Sequence, residues 1–193
     1  SGDEKKLNAL KGETMAVIAL CQFDLTRCFG YPYTKDNGAS LGAPLIDHLV
    51  GTYENPSRST VAQAYDFIIE TLEEAVTLMS EEKNNGRMNK YAARALLARV
   101  YLYHNDNRKA FDMADQLIKD VDASGSYALY PHEKYVAAWS VETKFGSESF
   151  FEIANSVDDT PGRDSWGYLL NWYGYQKGFV TQKYAEQMLA DPG

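Results

Sequence analysis

A short segment near the end of the chain, DSWGYLLNWYGYQKGF, carries the residues best suited to binding a ligand. Flat aromatic rings can stack on the apolar faces of sugar rings, and amide or carboxylate groups can hydrogen-bond sugar hydroxyls. Glycines interrupt the segment and no helical or strand period is visible, which predicts a long surface loop over Asp158–Gly178. Its glycan-binding candidates are Trp166, Tyr168, Asn171, Trp172, Tyr173 and Tyr175. The alternative is that these rings pin the loop to the rest of the protein.

Residues for other kinds of chemistry are present but poorly arranged. The three histidines are far apart in sequence and lack a metal-binding spacing, and no phosphate-binding or nucleophile motif occurs. Glu148 and Glu152 are acidic residues of the type that forms the acid/base pair of a glycosidase. Because they stand four residues apart at the extended-looking run FFEI, we expect them to face opposite environments. The sequence therefore favours a protein that is not an enzyme and that uses no metal or cofactor.

Charge and composition exclude several partners. The chain has 193 residues, a formal net charge of −8 and no basic stripe, so nucleic acid and anionic membrane surfaces are disfavoured. No apolar run is long enough to span a bilayer. The two cysteines, Cys21 and Cys28, lie about 10 Å apart on one face of a predicted helix, which is too far for a disulfide. We interpret them as small apolar residues on a buried stripe.

Apolar periodicity predicts a mostly helical chain. The first helix covers Glu13–Phe29, with an apolar face that includes Ile18, Leu25 and Phe29. A long irregular connection, Tyr31–Pro56, follows it. Three more helices are predicted from Ser59 or Thr60 to Met79, from Asn89 or Lys90 to Leu102, and over Arg108–Val121, and another starts at Thr181. We also predict a strand or extended segment at Phe150, Phe151 and Ile153, and a core position for Trp139.

The stretch Asn89–Ile118 has the pattern of a tetratricopeptide repeat. Leu97, Ala98 and Tyr101 precede an Asn-Asp turn, and Ala110 follows on the next helix. Asn105 replaces the usual glycine, which is acceptable because asparagine tolerates a positive φ. The motif AYDF at Ala64 repeats AFDM at Ala110, so we expect more than one helical hairpin, although a non-repetitive bundle remains an alternative.

Several segments together resemble the SusD/RagB family. They are GETMAVIALCQFDLTRCFGYPY from Gly12, GAPLI, SRSTVAQAYDFIIETLEEAVTLM, GRMNKYAARALLARVYLY and SESFFEI, and they occur in the order that the family has. The resemblance implies a mostly α fold with tetratricopeptide-like hairpins, long irregular loops and little β structure. It also implies capture of an oligosaccharide or polysaccharide and its delivery to a TonB-dependent transporter, at the outer-membrane surface of Bacteroidetes.

The resemblance also indicates a part of a longer protein. The family's lipid-bearing N-terminal cysteine and much of its C-terminal half have no counterpart here, so we expect residues 1–193 to be a single SusD-like helical domain from a longer chain. Membrane attachment would then depend on a lipid anchor outside this sequence. A tetratricopeptide adaptor that binds a protein or peptide is the alternative function, although its short turns fit the two long loops poorly. A helical glycosidase would need a better carboxylate pair.

Overall fold

The computed structural model describes residues 3–84, 86–139, 144–153, 162–170, 173–174, 178 and 180–190. The chain divides into two compact units, residues 1–152 and 153–193. The described part of the first unit contains five helices and two short strands. The helices are α1 Glu4–Phe29, α2 Val61–Leu78, α3 Lys90–Tyr103, α4 Asn107–Ser124 and α5 His132–Ala138; the strands are β1 Leu41–Pro44 and β2 Arg58–Thr60.

The helix starts follow from capping side chains. Thr60 and Gln63 form a reciprocal capping box at the start of α2, in which each side chain accepts the other residue's backbone N–H at 3.1 and 2.9 Å. Asn89 begins α3: its side-chain oxygen accepts the Ala92 N–H at 3.0 Å, and its amide donates to the Tyr127 hydroxyl at 2.8 Å. Both of these starts agree with the sequence prediction, because a side chain that satisfies a free backbone N–H is a local signal.

The hairpin predicted over Asn89–Ile118 is confirmed. α3 and α4 pack against each other across a tight turn at residues 104–106. Asn105 has φ 72°, the left-handed conformation that the sequence pattern required at this position. Ala110 is 8% exposed and Ala64 is fully buried, so the two copies of the Ala-aromatic-Asp motif occupy matching inward positions on α4 and α2. The mostly α, tetratricopeptide-like prediction is correct.

The core of the first unit runs through successive helices. α1 packs on α2, α2 on α3 and α3 on α4. Its fully buried side chains include Phe23 from α1, Ile68 and Leu72 from α2, and Leu97 and Val100 from α3. Val61, Tyr65, Ile68, Leu72, Ala75 and Met79 recur at helical spacing and are buried, as that period predicts. Because α3 contacts α1, α2 and α4, it is the central helix, which explains its apolar residues on more than one side.

The prediction for α1 was wrong in two respects. The helix begins at Glu4, nine residues before the predicted start, because the Asp3 side chain caps it by accepting the Lys5 N–H. Its inward face consists mainly of small and polar residues. Ala19 and Phe23 of the predicted apolar face are fully buried, but other members of that face point outward. Ile18, Leu25 and Phe29 are 42%, 41% and 65% exposed, and Cys21 and Cys28 are exposed as well. The predicted buried cysteine stripe is therefore open to solvent in this chain.

β1 lies in the region that was predicted to be an irregular connection, and β2 lies between that region and α2. β1 and β2 pair antiparallel, with Leu41 opposite Thr60 and Pro44 opposite Arg58. The Arg58 side chain supports this pairing by donating to the carbonyls of Gly42 and Leu41 at 2.7 and 2.9 Å. Residues 150–153 were predicted to be a strand or an extended segment, and they form no strand. They have no regular secondary structure, and Phe150 and Phe151 pack against the core.

The described residues of the second unit contain two helices, α6 Trp166–Leu170 and α7 Gln182–Ala190. α6 corrects the prediction of an aperiodic loop over 158–178, and its first turn is closed by Ser165, whose hydroxyl accepts the Tyr168 N–H at 3.1 Å. α7 confirms the helix predicted from Thr181. No helix in the described part of the chain is both long and apolar enough to cross a membrane.

Candidate functional site

A surface cavity in the first unit combines exposed aromatic rings with fixed carboxylates. It has a volume of about 400 Å³, and we call it the aromatic cavity. Its lining residues come from the segment before α5, from α5 itself and from the turn that leads to residue 152: Tyr130, Tyr135, Ala138, Trp139, Glu148, Ser149 and Glu152.

α5 and the residue that caps it present two of the three rings of the aromatic cavity to solvent. Pro131 precedes the helix with φ −64°, which suits a helix start, and the Trp139 N–H closes the other end on the Val136 carbonyl at 3.2 Å. Tyr135 and Trp139 are one turn apart, and their ring centroids are 6.1 Å apart at an interplanar angle of 73°. Trp139 is 76% exposed and Tyr135 is 51% exposed, so both rings have free surface for a ligand.

Glu152 fixes the turn that forms the opposite wall. Its carboxylate accepts the backbone N–H of Phe145 at 2.7 Å and that of Gly146 at 3.4 Å. The bond from Phe145 is the main reason that the pKa of Glu152 lies below its usual value. Phe145 has φ 53°, a conformation that costs a non-glycine residue free energy, so the turn depends on these bonds. Lys83 supports it further by donating to the Gly146 carbonyl at 2.9 Å.

Glu148 and Gly146 set the position of Tyr130. The Glu148 carboxylate accepts the Tyr130 backbone N–H, and the Ala128 N–H donates to the Ser147 carbonyl at 3.1 Å. The Tyr130 hydroxyl lies directly against Gly146: a Cβ atom at that position would be 1.6 Å from the hydroxyl oxygen. Only glycine at position 146 is compatible with this ring position.

The arrangement suits binding better than catalysis. A glycosidase needs one carboxyl group with a raised pKa, so that it is protonated and can act as the general acid. In the aromatic cavity the pKa of Glu152 is lowered, and Glu148 is engaged with a backbone N–H. Among the described residues, no group of three or more His, Cys, Asp or Glu side chains is placed to hold a metal ion. The rings offer stacking surfaces and the carboxylates offer acceptors for hydroxyl groups.

The structure also locates part of the predicted binding segment. Tyr173 is 91% exposed at a turn, and Tyr168 is half-buried in α6. Trp166 is the first residue of α6, but its side chain lies outside the described part of the chain. Asn171, Trp172 and Tyr175 also lie outside the described residues. The assignment of these six residues to glycan binding remains a prediction.

Sequence reasoning missed the aromatic cavity for identifiable reasons. Trp139 was predicted to be a core residue because it ends the run KYVAAW at helical spacing, but periodicity does not tell which face of a short helix is covered. Glu148 and Glu152 were expected to face opposite environments because the following residues looked extended. A turn forms there instead, and both carboxylates line the same cavity. The exposed aromatic pair four residues apart was the available signal.

Helical hairpins packed in sequence order define a tetratricopeptide-like scaffold, with the aromatic cavity at its surface. Residues 1–102 match a SusD-like family described as "Starch-binding associating with outer membrane". The chain belongs to this SusD-like family, which confirms the resemblance seen in the sequence. No curated protein sequence matches the chain significantly.

Solved structures of SusD proteins are similar over the whole chain. A SusD superfamily protein from Bacteroides vulgatus ATCC 8482 is 96% identical, with a TM-score of 0.94; the match covers 100% of this chain and 44% of that one. A SusD superfamily protein from Bacteroides thetaiotaomicron VPI-5482 is 35% identical over 100% of this chain and 42% of its own, with a TM-score of 0.86.

A SusD-like carbohydrate binding protein from Bacteroides vulgatus ATCC 8482 is 25% identical, with a TM-score of 0.72, over 88% of this chain and 35% of its own. In all three comparisons the present chain spans less than half of the relative's length.

Proposed function

We propose that this chain contributes to the non-enzymatic capture of an oligosaccharide, and that the aromatic cavity is one of the places where the sugar is held. The family description names starch, and one relative is described as a carbohydrate binding protein, which supports a sugar as the ligand class. We propose that the chain acts as part of a longer protein of the size of its relatives, which holds the sugar at the cell surface and delivers it to a TonB-dependent transporter. Its attachment to the outer membrane would use a lipid anchor.

One observation carries the proposal: Trp139 is 76% exposed, next to an exposed tyrosine and above a turn that is hydrogen-bonded in place. A large aromatic ring that a protein leaves in water, on a rigid support, is typical of a surface that recognises a ligand by stacking. Sugar rings have apolar faces of matching size. Because Glu148 is exposed beside the rings, it can accept hydrogen bonds from the hydroxyls at the edge of a stacked sugar.

The segment 164–179 is proposed as a second source of contacts. Its candidates remain Trp166, Tyr168, Asn171, Trp172, Tyr173 and Tyr175, and the exposure of Tyr173 is compatible with such a role. We further propose that residues 1–193 are one SusD-like region of the longer protein, in which the hairpins serve as a rigid support and the loops as the ligand-binding parts.

The experiment measures the affinity of the purified chain for soluble starch, maltooligosaccharides and a panel of other glycans, by retardation in affinity gels and by calorimetry. We expect Trp139→Ala to weaken binding of the recognised glycan at least tenfold. Tyr53→Ala is the matched control, because Tyr53 is an aromatic residue that is 96% exposed and does not line the cavity. Equal affinities for the wild type and the Trp139→Ala variant would refute the assignment of the cavity.

Two further arms separate the alternatives. Release of shorter sugars during incubation with the glycan would indicate a glycosidase, and we expect none. Trp166→Ala combined with Trp172→Ala tests the second segment: reduced affinity in that variant, with Trp139 intact, would support its contribution. If no glycan in the panel binds but a peptide library yields ligands, the tetratricopeptide adaptor is the better description.

A further inference from the structure

The side of α1 that faces away from α2 is apolar along almost the whole helix. Most of its residues are three or four positions apart, and two adjacent pairs widen it, which gives a single broad face about 33 Å long. We call this surface the outer α1 face, and it consists of Leu7, Leu10, Thr14, Val17, Ile18, Cys21, Leu25, Cys28 and Phe29. Six of these side chains are large and apolar and are each 40% to 65% exposed.

The residues of the outer α1 face are uncharged, and the charged residues Lys6, Lys11 and Asp24 lie along its edges. Its one hydroxyl, on Thr14, donates to the Leu10 carbonyl at 2.9 Å and so is already used within the helix. The solvent side of α4 is different: it is covered with charges that pair along the helix, including Arg108 with Asp112 and Lys119 with Asp115. The charged side of α4 is therefore suited to contact with solvent, whereas the outer α1 face is suited to burial.

The inward face of α1 already packs on α2, where Gly12, Ala16 and Ala19 allow close approach. A Cβ atom at Gly12 would be 2.7 Å from the Met79 side chain and 2.9 Å from the Ala75 carbonyl oxygen. A helix that is buried on one face and apolar on the opposite face has the pattern of a helix packed between two layers. α1 has one layer in this chain, and the outer α1 face lacks the second.

The length of the relatives indicates what supplies the second layer. The 96%-identical protein from Bacteroides vulgatus contains this chain within 44% of its own length, so more than half of its residues lie outside the region compared. We infer that the outer α1 face is an internal packing surface, covered in the full-length polypeptide by that additional part of the chain. Cys21 and Cys28, exposed here, then occupy the buried positions that free cysteines usually have.

The test compares two polypeptides: the 193-residue chain, and the same chain joined to the remaining residues of the 96%-identical relative. Each is treated with a thiol-alkylating reagent, and modification of Cys21 and Cys28 is followed by peptide mass mapping. We expect both thiols to react in the extended protein at least tenfold more slowly than in its urea-unfolded form, at every protein concentration. In the 193-residue chain we expect little protection.

A pair of variants in the extended protein tests the same inference without the cysteines. Ile18→Glu would place a charge inside the packed interface and should lower the Tm by roughly 5 °C or more. Ile118→Glu is the matched control, because Ile118 is a 61% exposed isoleucine on the charged side of α4. It should change the Tm by less than about 2 °C.

Three results would overturn the inference. Thiols that react freely in the folded extended protein would show that the face stays open and is available to a separate partner. Protection that appears only as the protein concentration rises, together with dimers in sedimentation, would assign the face to a second copy. Equal Tm changes for the two glutamate variants would show that the face is not packed. If the 193-residue chain does not fold, the measurements on the extended protein still decide between these outcomes.

Discussion

Replacing Gly146 by alanine tests the geometry of the aromatic cavity most directly. The new Cβ would be 1.6 Å from the Tyr130 hydroxyl oxygen and 2.8 Å from the ring carbon that bears it. Real contacts of this kind are 3.0 Å or longer, so the Tyr130 ring must move by more than about 1 Å. The Tyr130 backbone stays in place because Glu148 accepts its N–H. The expected change is therefore a displaced ring in an otherwise intact protein.

The effect on affinity follows from the surface that the ring offers. A tyrosine can bury roughly 200 Å² in a contact, and we take about 50 Å² as the part that a cavity-bound sugar would cover. At about 25 cal/mol per Å², its loss costs about 1.3 kcal/mol, which is roughly a ninefold weaker affinity. The overall stability should change by less than about 1 kcal/mol, because Gly-to-Ala changes at compatible backbone positions are mildly favourable.

A double-mutant cycle read by calorimetry isolates this effect. Gly146→Ala should weaken sugar binding in the wild-type background and should have no further effect in a Tyr130→Ala background. Gly51→Ala is the control, because its new Cβ would meet only Glu54 atoms, at ordinary contact distances of 3.8 Å and more. If Gly146→Ala weakened binding equally in both backgrounds, the proposed role of the Tyr130 ring would be wrong.

Three further predictions concern the turn between α3 and α4, the helical core and the connection before β2. Asn105 has φ 72°, so Asn105→Gly should leave the stability unchanged. Asn105→Ala should lower the free energy of unfolding by about 1 kcal/mol and the Tm by about 2–4 °C in thermal melts. Equal stability of the two variants would contradict the left-handed turn at this position. Leu97 is 1% exposed, so Leu97→Ala should cost about 3 kcal/mol in urea unfolding, against less than about 1 kcal/mol for Leu102→Ala at a 56% exposed position. The hydrogen bond between His48 and Asp47 is the main reason that the pKa of His48 is raised. NMR titration should therefore give a His48 pKa above 6.5 in the wild type and a lower pKa in the Asp47→Asn variant. The stabilisation from protonated His48 is fully present below pH 6.5 and is lost as the pH rises through the raised pKa. A His48 pKa that does not change in Asp47→Asn would refute this contact.

Local signals predicted the central helices well. Short stretches of sequence were enough to predict the side-chain caps at Thr60 and Asn89, the buried stripe of α2 and the left-handed turn residue Asn105. Each of these features depends on neighbours within four residues. The tetratricopeptide pattern then placed Ala110 at the contact between α3 and α4. For these elements, the local pattern and the final packing agree.

The aromatic cavity could not be predicted in the same way. It depends on a contact between Tyr130 and Glu148, which are far apart in the chain, and on Phe145 adopting a positive φ that its residue type disfavours. Hydrogen bonds from the turn to Glu152 stabilise that conformation, and no local sequence motif predicts them. The burial of α1 was mispredicted for another reason: periodicity identifies an apolar face but not whether the chain supplies the residues that cover it.

The order of the helices has a consequence for how the protein acquires its structure. α3 and α4 are joined by a turn of a few residues, whereas α1 and α2 are separated by the connection that contains β1 and β2. Closing a short loop loses less chain entropy than closing a long one, and proteins dominated by near neighbours fold quickly. We therefore expect the hairpin of α3 and α4 to form first and α1 to dock after the long connection has closed.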